Sequence, residues 1–349
     1  MDFQKLLEAH NLDVLFVSKP ENVRYLSGFV EGKDGKVVLT PEGAFFITDG
    51  RYIVEAGQQR FPHRILLRRS EMNSLLKEFF RGRVGVEAEH LSVATLEGFR
   101  KDFPDLEFVS TTGLIEAHRM VKTAEEAAHI RRAAEITDAG FRHILPFIQP
   151  GAREVDIALE LEFFCRRNGS EGMAFGITVA SGVRGAQPHG GATEKSIEAG
   201  ELVTLDFGCA VGGYCSDMTR TVGVGDVSDK LRDLYEAVLE AQVRALEAVA
   251  PGKSGKDLDT IARDVLTARG YGDHFTHSLG HGVGLFIHEG PSLSQTSADL
   301  LEAGNIVTIE PGAYIPGVGG CRIEDLALVR NGGYEVLSSS PKSFIHLPA

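Results

Sequence analysis

A chain of 349 residues is longer than a single hydrophobic core normally supports, so two domains are expected. Its hydrophobic fraction of 43% and charged fraction of 24% are ordinary for a folded globular protein, which excludes a largely disordered or fibrous chain. The formal net charge of −13 argues against nucleic acid as a partner, because affinity for DNA or RNA depends on clustered lysine and arginine side chains.

The chain begins with a segment that carries acidic residues where an export signal needs a basic stretch followed by a long apolar one. No apolar run reaches the roughly 18 residues that a membrane-spanning helix requires, so no membrane partner is predicted. The cysteines have no CxxC spacing and are interpreted as reduced thiols of a cytoplasmic protein rather than as disulfides or a zinc site. They are Cys165, Cys209, Cys215 and Cys321.

Residues 1 to about 119 alternate short apolar runs with amphipathic stretches, which is typical of a small α/β layer. Helices are predicted in the gaps between the strands. The histidines of this half have no partner spacing and are interpreted as structural or surface residues; they are His10, His63, His90 and His118. The predicted strands are Asp13–Val17, Lys36–Leu39, Ala44–Thr48, Ile65–Arg68, Val84–Val86 and Leu106–Val109.

A second domain, residues 120–349, is predicted to begin just before a helix start signal. Thr123 is placed to serve as the N-cap, and a glutamate three residues later completes a capping box. The apolar periodicity of this helix continues to about Ile144. Pro150-Gly151 then ends the helical region, and a second helix is expected over Glu154–Arg167.

The second domain contains an internal repeat. The segment EAGELVTLDFG, which contains Asp206, recurs as EAGNIVTIEPG, which has Glu310 in the equivalent place. Each copy is also preceded by a helix that follows a Pro-Gly pair, at Pro150 and at Pro251. A chance match is the alternative, since Glu-Ala-Gly is a common turn and Val-Thr a common strand. The matching helix starts favour two related half-domains that face each other across a pseudo-twofold axis, with a site at the axis.

The first repeat strand is followed by a glycine-rich turn and a second strand, as a β-hairpin requires. Folding this hairpin about Val211-Gly212 is predicted to place Asp206 nearly opposite Asp217. Like charges on neighbouring strands repel each other, so this arrangement needs a compensating cation.

The second hairpin repeats the arrangement, because folding about Gly317 sets Glu310 across from Glu324. Four carboxylates at one axis would have strongly raised pKa values unless cations neutralise them, and divalent metal ions are the expected cations. An acid that faces solvent on an edge strand is the ordinary situation for a single residue, but four acids in symmetric registers argue against it.

A neutral imidazole would complete such a site, and the glycine-rich segment from His277 to His288 is its expected source. Glycines on both sides of His281 allow close backbone approach and positive φ angles, as at a crowded site. His281 is therefore predicted to be the fifth ligand, although a lone histidine is more often a core residue.

These segments resemble the pita-bread metallopeptidase family, which includes Xaa-Pro aminopeptidases, prolidases, methionyl aminopeptidases and the metal-free creatinases. The resemblance implies an α+β protein: a C-terminal pita-bread domain with a pseudo-twofold repeat over 120–349, and a smaller N-terminal α/β creatinase-like domain over 1–119 for dimerisation and substrate restriction. The matching segments, in family order, are Leu-Asp206-Phe-Gly, Ser-Asp217-Met-Thr-Arg, Gly-His281-Gly-Val-Gly, Ile-Glu310-Pro-Gly and Arg322-Ile-Glu324-Asp.

The resemblance implies two divalent metal ions. The equivalents of Asp217 and Glu324 bridge both ions in this family, Asp206 completes one ion, and His281 with Glu310 completes the other. Oxygen and nitrogen ligands favour Mn²⁺, with Co²⁺ or Zn²⁺ as alternatives.

The resemblance also implies the catalytic and substrate-binding residues. It assigns His189, His277 and His288 to substrate binding and proton transfer, and Arg322 and Tyr314 to positions in or behind the substrate pocket. We expect a water that bridges the metals to become the hydroxide nucleophile, with Glu310 taking its proton. His288 or His277 is expected to stabilise the tetrahedral intermediate.

The activity implied is hydrolysis of a peptide with proline second, with Xaa-Pro aminopeptidase as the main prediction and Xaa-Pro dipeptidase (prolidase) as the alternative. A methionyl aminopeptidase is disfavoured by the N-terminal domain, and a creatinase or a catalytically idle binding relative by the presence of all five ligands. We expect a homodimer, in which Asp34 and Arg51 of the N-terminal domain are candidates for closing the cleft beyond the proline.

Overall fold

The computed structural model describes residues 1–30, 32–58 and 72–349, together with the backbone of residues 64–67. Contacts divide the chain into two compact units, an N-terminal unit Met1–Arg119 and a C-terminal unit Met120–Ala349. None of the helices in the described residues is long and apolar enough to span a lipid bilayer.

The N-terminal unit is built on one mixed sheet. Its strands are β1 (Val14–Val17), β2 (Lys36–Thr40), β3 (Gly43–Asp49), β4 (Arg64–Leu67), β5 (Arg83–Glu87) and β6 (Glu107–Thr111), in the spatial order β4-β3-β2-β1-β5-β6. Its helices are α1 (Phe3–Ala9), α2 (Pro20–Ser27), α3 (Ile53–Gln58), α4 (Met72–Phe79), α5 (Val93–Asp102) and α6 (Glu116–Met120).

Strand β1 lies at the centre of this sheet and is buried on both faces. It pairs antiparallel with β2 and parallel with β5. Leu15 and Val17 pack into one hydrophobic cluster, whereas Val14 and Phe16 pack into another on the opposite face. Because successive side chains of a strand alternate between faces, a continuous apolar run is what a doubly covered strand requires.

The six predicted strands of the N-terminal unit all form, with bounds that differ by one or two residues. Arg68, the predicted end of the fourth strand, lies outside the described residues, as does His63. The prediction of helices in every gap is wrong between β2 and β3, where Pro41 and Glu42 form a tight turn that is too short for a helix. The remaining three histidines of this unit are exposed.

The C-terminal unit repeats one pattern of helices and strands. Its helices are α7 (Ala124–Ile144), α8 (Glu154–Arg167), α9 (Asp229–Glu247) and α10 (Gly255–Ala268). Its strands are β7 (Gly172–Met173), β8 (Thr178–Ser181), β9 (Leu202–Phe207), β10 (Cys209–Val211), β11 (Tyr214–Cys215), β12 (Met218–Val224), β13 (Gly280–Gly282), β14 (Glu289–Leu293), β15 (Ile306–Ile309), β16 (Gly312–Ile315), β17 (Gly319–Arg322), β18 (Asp325–Arg330), β19 (Gly333–Val336) and β20 (His346–Leu347).

The two halves of this unit have matching sheets. The first half has the strand order β20-β12-β9-β8, and the second has β14-β13-β15-β18-β19. In each half the central antiparallel pair continues into a shorter hairpin of its own, β10 with β11 and β16 with β17. The predicted α+β architecture with a repeated half-domain is confirmed.

Helix α7 begins where the sequence predicts. The Thr123 hydroxyl accepts a hydrogen bond from the Glu126 backbone N–H at 3.3 Å, and the Glu126 carboxylate accepts one from the Thr123 N–H at 2.7 Å. This reciprocal capping box satisfies two backbone donors that the first helical turn would otherwise leave unpaired. The helix ends at Ile144, and α8 spans Glu154–Arg167, both as predicted.

The register of the first hairpin differs by two residues from the predicted one. Asp206 pairs with Thr219, not with Asp217, because the turn is centred on Gly212 and Gly213 rather than on Val211-Gly212. These glycines have φ angles of 57° and 78°. Positive φ at both central residues is the requirement of the two-residue turn that matches strand twist.

The second hairpin has the predicted register. Ile309 pairs with Asp325 and Gly312 pairs with Arg322, which aligns Glu310 with Glu324 on either side of the turn at Gly317. The two hairpins therefore differ in the residue that faces the first acid: Thr219 lies opposite Asp206, whereas Glu324 lies opposite Glu310.

Candidate metal centre

The first hairpin breaks where its acidic residues lie. A Cβ added at Gly208 would sit 1.8 Å from the Ser216 carbonyl oxygen, so only glycine allows this crossing. Beyond it, the Cys209 N–H donates to the Ser216 hydroxyl at 2.9 Å. Asp217 lies at this break, two residues before Thr219, which pairs with Asp206. Residues two apart on a strand point to the same face, so Asp217 points to the same face as Thr219. Asp206 and Asp217 are therefore diagonal neighbours across the hairpin, and the two acids converge as predicted.

The second hairpin also breaks at its acids. The Glu310 N–H leaves the ladder and donates to the Leu279 carbonyl oxygen at 2.9 Å, while the Glu324 N–H donates to the Thr219 carbonyl oxygen at 3.1 Å. These two bonds tie the second hairpin to the histidine-bearing segment on one side and to the first hairpin on the other. Both carboxylates are thereby held at the junction of the two halves.

Five side chains meet at this junction, and we call them the metal centre: Asp206, Asp217, His281, Glu310 and Glu324. Three of them offer carboxylate oxygens that all lie within 4.8 Å of one another, namely Asp206, Asp217 and Glu324. The His281 Nε2 lies 3.2 Å from Glu310 Oε1 and 3.8 Å from Asp217 Oδ2. All five line one cavity of about 660 Å³.

Burial and mutual repulsion strongly perturb the pKa values of the acids. Desolvation, followed by the charge of Glu324, raises the pKa of Asp217 well above its ordinary value, and desolvation with the charge of Glu310 does the same to Glu324. Desolvation also raises the pKa of Asp206, against the opposing charge of Arg322. Burial acts to raise the pKa of Glu310, but the hydrogen bond and charge of His281, together with the charges of His277 and Arg322, lower it to about 2.

Three buried oxygens of the centre have no hydrogen-bond partner among the described residues: Asp206 Oδ1, Asp217 Oδ1 and Glu324 Oε1. A buried polar atom without a partner costs free energy, and a buried carboxylate without one costs more. Oxygen and imidazole donors gathered around such atoms are the ligand set of divalent cations. The residues present therefore fit a divalent metal site.

Arg322 is not one of the five side chains of the metal centre, but it contacts one of them and its neighbours. Its Nη2 donates to Asp206 Oδ2 at 2.5 Å, its Nε donates to the Thr219 hydroxyl at 3.1 Å, and its Nη1 donates to the Tyr314 hydroxyl oxygen at 2.8 Å. The Tyr314 hydroxyl also lies 2.9 Å from His277 Nε2, and His277 Nδ1 lies 2.8 Å from the Ser278 carbonyl oxygen. The Nδ1–H of His277 donates to this carbonyl, and burial lowers the pKa of His277, which favours a neutral ring whose Nε2 accepts from the Tyr314 hydroxyl.

The other two predicted histidines face the cavity more openly. His189 and His288 both line it and both have exposed side chains. The His288 ring packs edge-on against His281, with ring centroids 4.5 Å apart. Tyr314, in contrast, is not among the described residues that line the cavity, and its hydroxyl contacts two residues that are. Of the two places predicted for Tyr314, in the pocket or behind it, the contacts favour the place behind it.

Two threonines of the site escaped the sequence analysis. The Thr219 hydroxyl donates to Glu324 Oε2 at 2.7 Å, and the Thr308 hydroxyl donates to Glu310 Oε1 at 2.9 Å. Thr219 stands two residues after the predicted ligand Asp217, and Thr308 stands two residues before the predicted ligand Glu310. Spacing of two on a strand places side chains on one face, so this signal could have identified both threonines.

Comparisons with known proteins agree with this geometry. The model of metallopeptidase family M24 matches residues 128–331, and that of the creatinase/prolidase N-terminal domain matches residues 2–121. An Xaa-Pro dipeptidase of Pyrococcus furiosus is 39% identical, with 98% of this chain and 97% of the relative covered.

Two solved structures show the same similarity over nearly the whole chain. An Xaa-Pro dipeptidase from Bacillus anthracis has a TM-score of 0.95 and 42% identity, covering 99% of this chain and 98% of its own. An X-Pro aminopeptidase from Thermotoga maritima has a TM-score of 0.90 and 33% identity, covering 98% and 100% respectively. The fold of the C-terminal unit is the pita-bread fold.

Proposed function

The chain belongs to metallopeptidase family M24, and on that premise we propose that it is an Xaa-Pro dipeptidase. The observation that carries the proposal is the set of three buried carboxylate oxygens without partners, which need cations to be tolerated. Dipeptidase takes precedence over the aminopeptidase expected from the sequence, because relatives called Xaa-Pro dipeptidases match at 39% and 42% identity and the X-Pro aminopeptidase at 33%.

We propose that the five side chains of the metal centre hold two divalent ions, with Mn²⁺ as the physiological metal. Four carboxylates and one imidazole are the support for this choice, since hard oxygen ligands suit manganese. Such ions lower the pKa of a bound water and polarise the scissile carbonyl.

Glu310 is proposed to accept the proton of the attacking water. Its contacts with Thr308 and His281 both use Oε1. Among the described residues, Oε2 is left to exchange a proton within the cavity. The proton then passes toward the nitrogen of the leaving proline.

His288 and His189 are proposed to contact the substrate, because both are exposed in the cavity. His288 is the better placed of the expected pair to stabilise the tetrahedral intermediate. His277 uses both ring nitrogens within the protein, so we propose that it orients Tyr314 and Arg322 instead of donating a proton to the substrate. Arg322 in turn holds Asp206 in place.

The substrate proposed is a dipeptide with proline second. Apolar side chains also line the cavity and are suited to an uncharged pyrrolidine ring or first side chain; they are Phe175, Ile177 and Ile287. An Xaa-Pro aminopeptidase remains the second candidate, favoured by the whole-chain likeness to the Thermotoga maritima structure.

We further propose a homodimer located in the cytoplasm. The cysteines support the compartment, because all four are buried and no disulfide joins them in the described part of the chain. Exposed apolar side chains on the N-terminal unit support an interface there: Val30, Ile53 and Val54. Arg51 and Asp34, the two candidates in this unit for closing the cleft beyond the proline, contact each other: Arg51 donates to Asp34 at 2.8 Å. Light scattering coupled to gel filtration measures the oligomeric state.

The activity is tested on the purified protein after removal of metal by a chelator and reloading with Mn²⁺. Xaa-Pro dipeptides, longer Xaa-Pro peptides and Met-led peptides are assayed side by side. Turnover of the dipeptides alone supports the proposal, whereas turnover of longer Xaa-Pro peptides at a similar kcat/KM supports the aminopeptidase. Cleavage of Met-led peptides in preference to both refutes proline-directed activity.

A further inference from the structure

Each half of the C-terminal unit contains a buried acid paired with an arginine, outside the metal centre, that binds the segment carrying a histidine of the site. We propose that these two clamps are positioning devices, the first for His189 and the second for His277. The inference rests on the proposed function, because it assigns both clamps to the same reaction. The first clamp consists of Glu154 and Arg184, and the second consists of Asp259 and Arg263.

The first clamp closes both ends of one loop. Glu154, at the start of α8, has no exposed surface. Its Oε1 accepts hydrogen bonds from the Ser181 N–H and hydroxyl, both at 2.8 Å. Its Oε2 accepts bonds from the Thr193 N–H at 3.1 Å, from the Thr193 hydroxyl at 2.7 Å and from the Arg184 guanidinium. One carboxylate therefore joins the residues that precede and follow the loop.

The loop closed by this clamp forms a wall of the cavity. Arg184 Nη2 donates to the Gly191 carbonyl oxygen at 2.7 Å, which ties the end of the loop to the clamp. The Pro188 carbonyl oxygen accepts a bond from Arg322 Nη1 at 3.1 Å, and His189 follows directly. The backbone around His189 is thus held by the first clamp on one side and by Arg322 on the other.

The second clamp holds the segment before β13. Asp259 on α10 is fully buried and accepts from Arg263 Nε at 2.9 Å and Nη2 at 3.1 Å. Its Oδ1 also accepts from the Leu279 N–H at 3.1 Å. Arg263 donates onward to the Phe275 carbonyl oxygen at 2.8 Å and to the His277 carbonyl oxygen at 3.0 Å. Backbone on both sides of the histidine is therefore fixed by one ion pair.

This clamp reaches the metal centre through a single further bond. The Leu279 residue that donates to Asp259 accepts, at its carbonyl oxygen, the Glu310 N–H at 2.9 Å. A shift of the clamp would move the general base as well as His277. The second clamp is therefore expected to affect kcat, whereas the first should act mainly through substrate binding at His189.

The two clamps did not arise from the repeat as matching residues. The offset that relates Asp206 to Glu310 aligns Glu154 with the apolar Leu258, and Asp259 with Val155. The equivalent helices α8 and α10 therefore carry their buried acids at different positions, although each acid holds a segment that carries a histidine. What the two clamps share is the segment that each one holds, which carries a histidine of the cavity.

Double-mutant cycles test the inference, because residues that act through one another are not additive. Glu154→Gln and Asp259→Asn are each combined with His189→Ala and with His277→Ala, and metal-loaded proteins are assayed for kcat and KM. Each clamp variant should lower kcat/KM about tenfold. Glu154→Gln should add less than about twofold to His189→Ala yet keep its full effect beside His277→Ala. Asp259→Asn should keep its full effect beside His189→Ala and lose part of it beside His277→Ala, because this clamp also reaches Glu310 through Leu279.

Asp138 provides a matched control. It is buried on α7 and accepts bonds from the backbone N–H and hydroxyl groups of Ser339 and Ser340, all between 2.5 and 2.7 Å. Asp138→Asn should lower the midpoint of thermal unfolding by an amount similar to the clamp variants, yet couple to neither histidine. Should a clamp variant fail to fold, Arg184→Lys and Arg263→Lys keep the charge and should give smaller losses with the same coupling pattern.

Multiplicative effects for every pair of clamp and histidine would overturn the inference, because the clamps would then act only on stability. Loss of bound metal in Glu154→Gln would overturn the role of the first clamp as well, since the hydrogen bonds of that clamp go to Ser181, Thr193 and Gly191 and not to the metal centre. The cycles are run on whichever peptide class wild type hydrolyses. Inactivity of wild type on Xaa-Pro dipeptides therefore refutes the proposed function without deciding the test of the clamps.

Discussion

Asp217 and Glu324 each combine deep burial with an oxygen that has no partner in the described part of the chain. Desolvation of a carboxylate in such a place costs several kcal/mol, more than one hydrogen bond from Thr219 can offset. The same desolvation strengthens the attraction of a cation, because the local dielectric constant is low. At the scale of single residues, the centre is therefore unfavourable when empty and strongly attractive to metal.

Metal binding should release protons. The raised pKa values of Asp217 and Glu324 mean that the metal-free carboxyls keep protons at pH values where ordinary carboxyls have lost them. A cation must displace these protons, so its apparent affinity should rise as pH rises through the raised pKa values and fall as pH drops below them. Titration calorimetry in buffers of different ionisation enthalpy measures the release. A binding enthalpy that does not depend on the buffer would contradict the account.

Tyr314→Phe should impair turnover without altering metal content. The change removes the hydroxyl that Arg322 and His277 share, so both lose a partner near Asp206. We expect kcat/KM to fall about tenfold and the free energy of unfolding to fall by about 1 kcal/mol.

Tyr235→Phe is the matched control, because that buried hydroxyl also makes a hydrogen bond, to the Lys342 carbonyl oxygen at 2.8 Å. It should lose similar stability and keep its kcat/KM. Equal kinetic losses in both tyrosine variants would show that Tyr314 has no specific part in the site.

At this scale the sequence was informative about residue types but not about orientation. Repeated acids and clustered histidines identified the side chains that the structure brings together around one cavity. The direction of the His277 ring could not be predicted, because it depends on a tyrosine that is distant in sequence and on the carbonyl of Ser278. The clamps were equally hidden, since a buried Glu154 looks like any acid in a first helical turn.

At the scale of elements, the hairpins show which part of a register the sequence determines. A turn at Gly317 gave the correct alignment of Glu310 with Glu324. In the first hairpin two adjacent glycines allowed two choices of turn centre, and the positive φ angles of Gly212 and Gly213 decide between them. An error of two residues preserves which face a side chain occupies, so the site remained predictable although the pairing did not.

Gly213→Val should destabilise the protein more than Gly213→Asn. The residue has a φ of 78°, which asparagine tolerates and a β-branched side chain does not. In both variants the backbone N–H can still donate to Glu171 Oε2, as it does at 3.0 Å. We expect valine to cost about 1–2 kcal/mol more than asparagine in the free energy of unfolding. Chemical denaturation with metal bound measures it, and equal stabilities would contradict the assigned turn.

At the scale of the whole molecule, the metal centre belongs to one unit. Its five side chains come from both halves of the C-terminal unit, Met120–Ala349. The repeat made this division visible in the sequence, because each copy supplies two of the four acids. The choice between dipeptidase and aminopeptidase was not visible, because it depends on what limits the length of the cleft and the ligand residues are the same.

Metal should protect the two halves together. A ligand that binds only the folded site stabilises every element that must be in place to hold it. Hydrogen exchange with and without Mn²⁺ should show slower exchange in residues 202–224 and 306–330, which form the two broken hairpins. Little change is expected in β1, β2 and β5 of the N-terminal unit. Protection confined to one hairpin would mean that the other does not contribute ligands.

The most direct test of the central claim is the metal content of the protein together with its turnover, measured on wild type and on Asp217→Asn. Wild type reloaded with Mn²⁺ should bind about two ions per chain and hydrolyse Xaa-Pro dipeptides, because Asp217 and its neighbours hold both ions. Asp217→Asn should lose metal and reduce kcat by at least about a thousandfold. Full turnover in an Asp217→Asn protein that contains no metal would contradict the account.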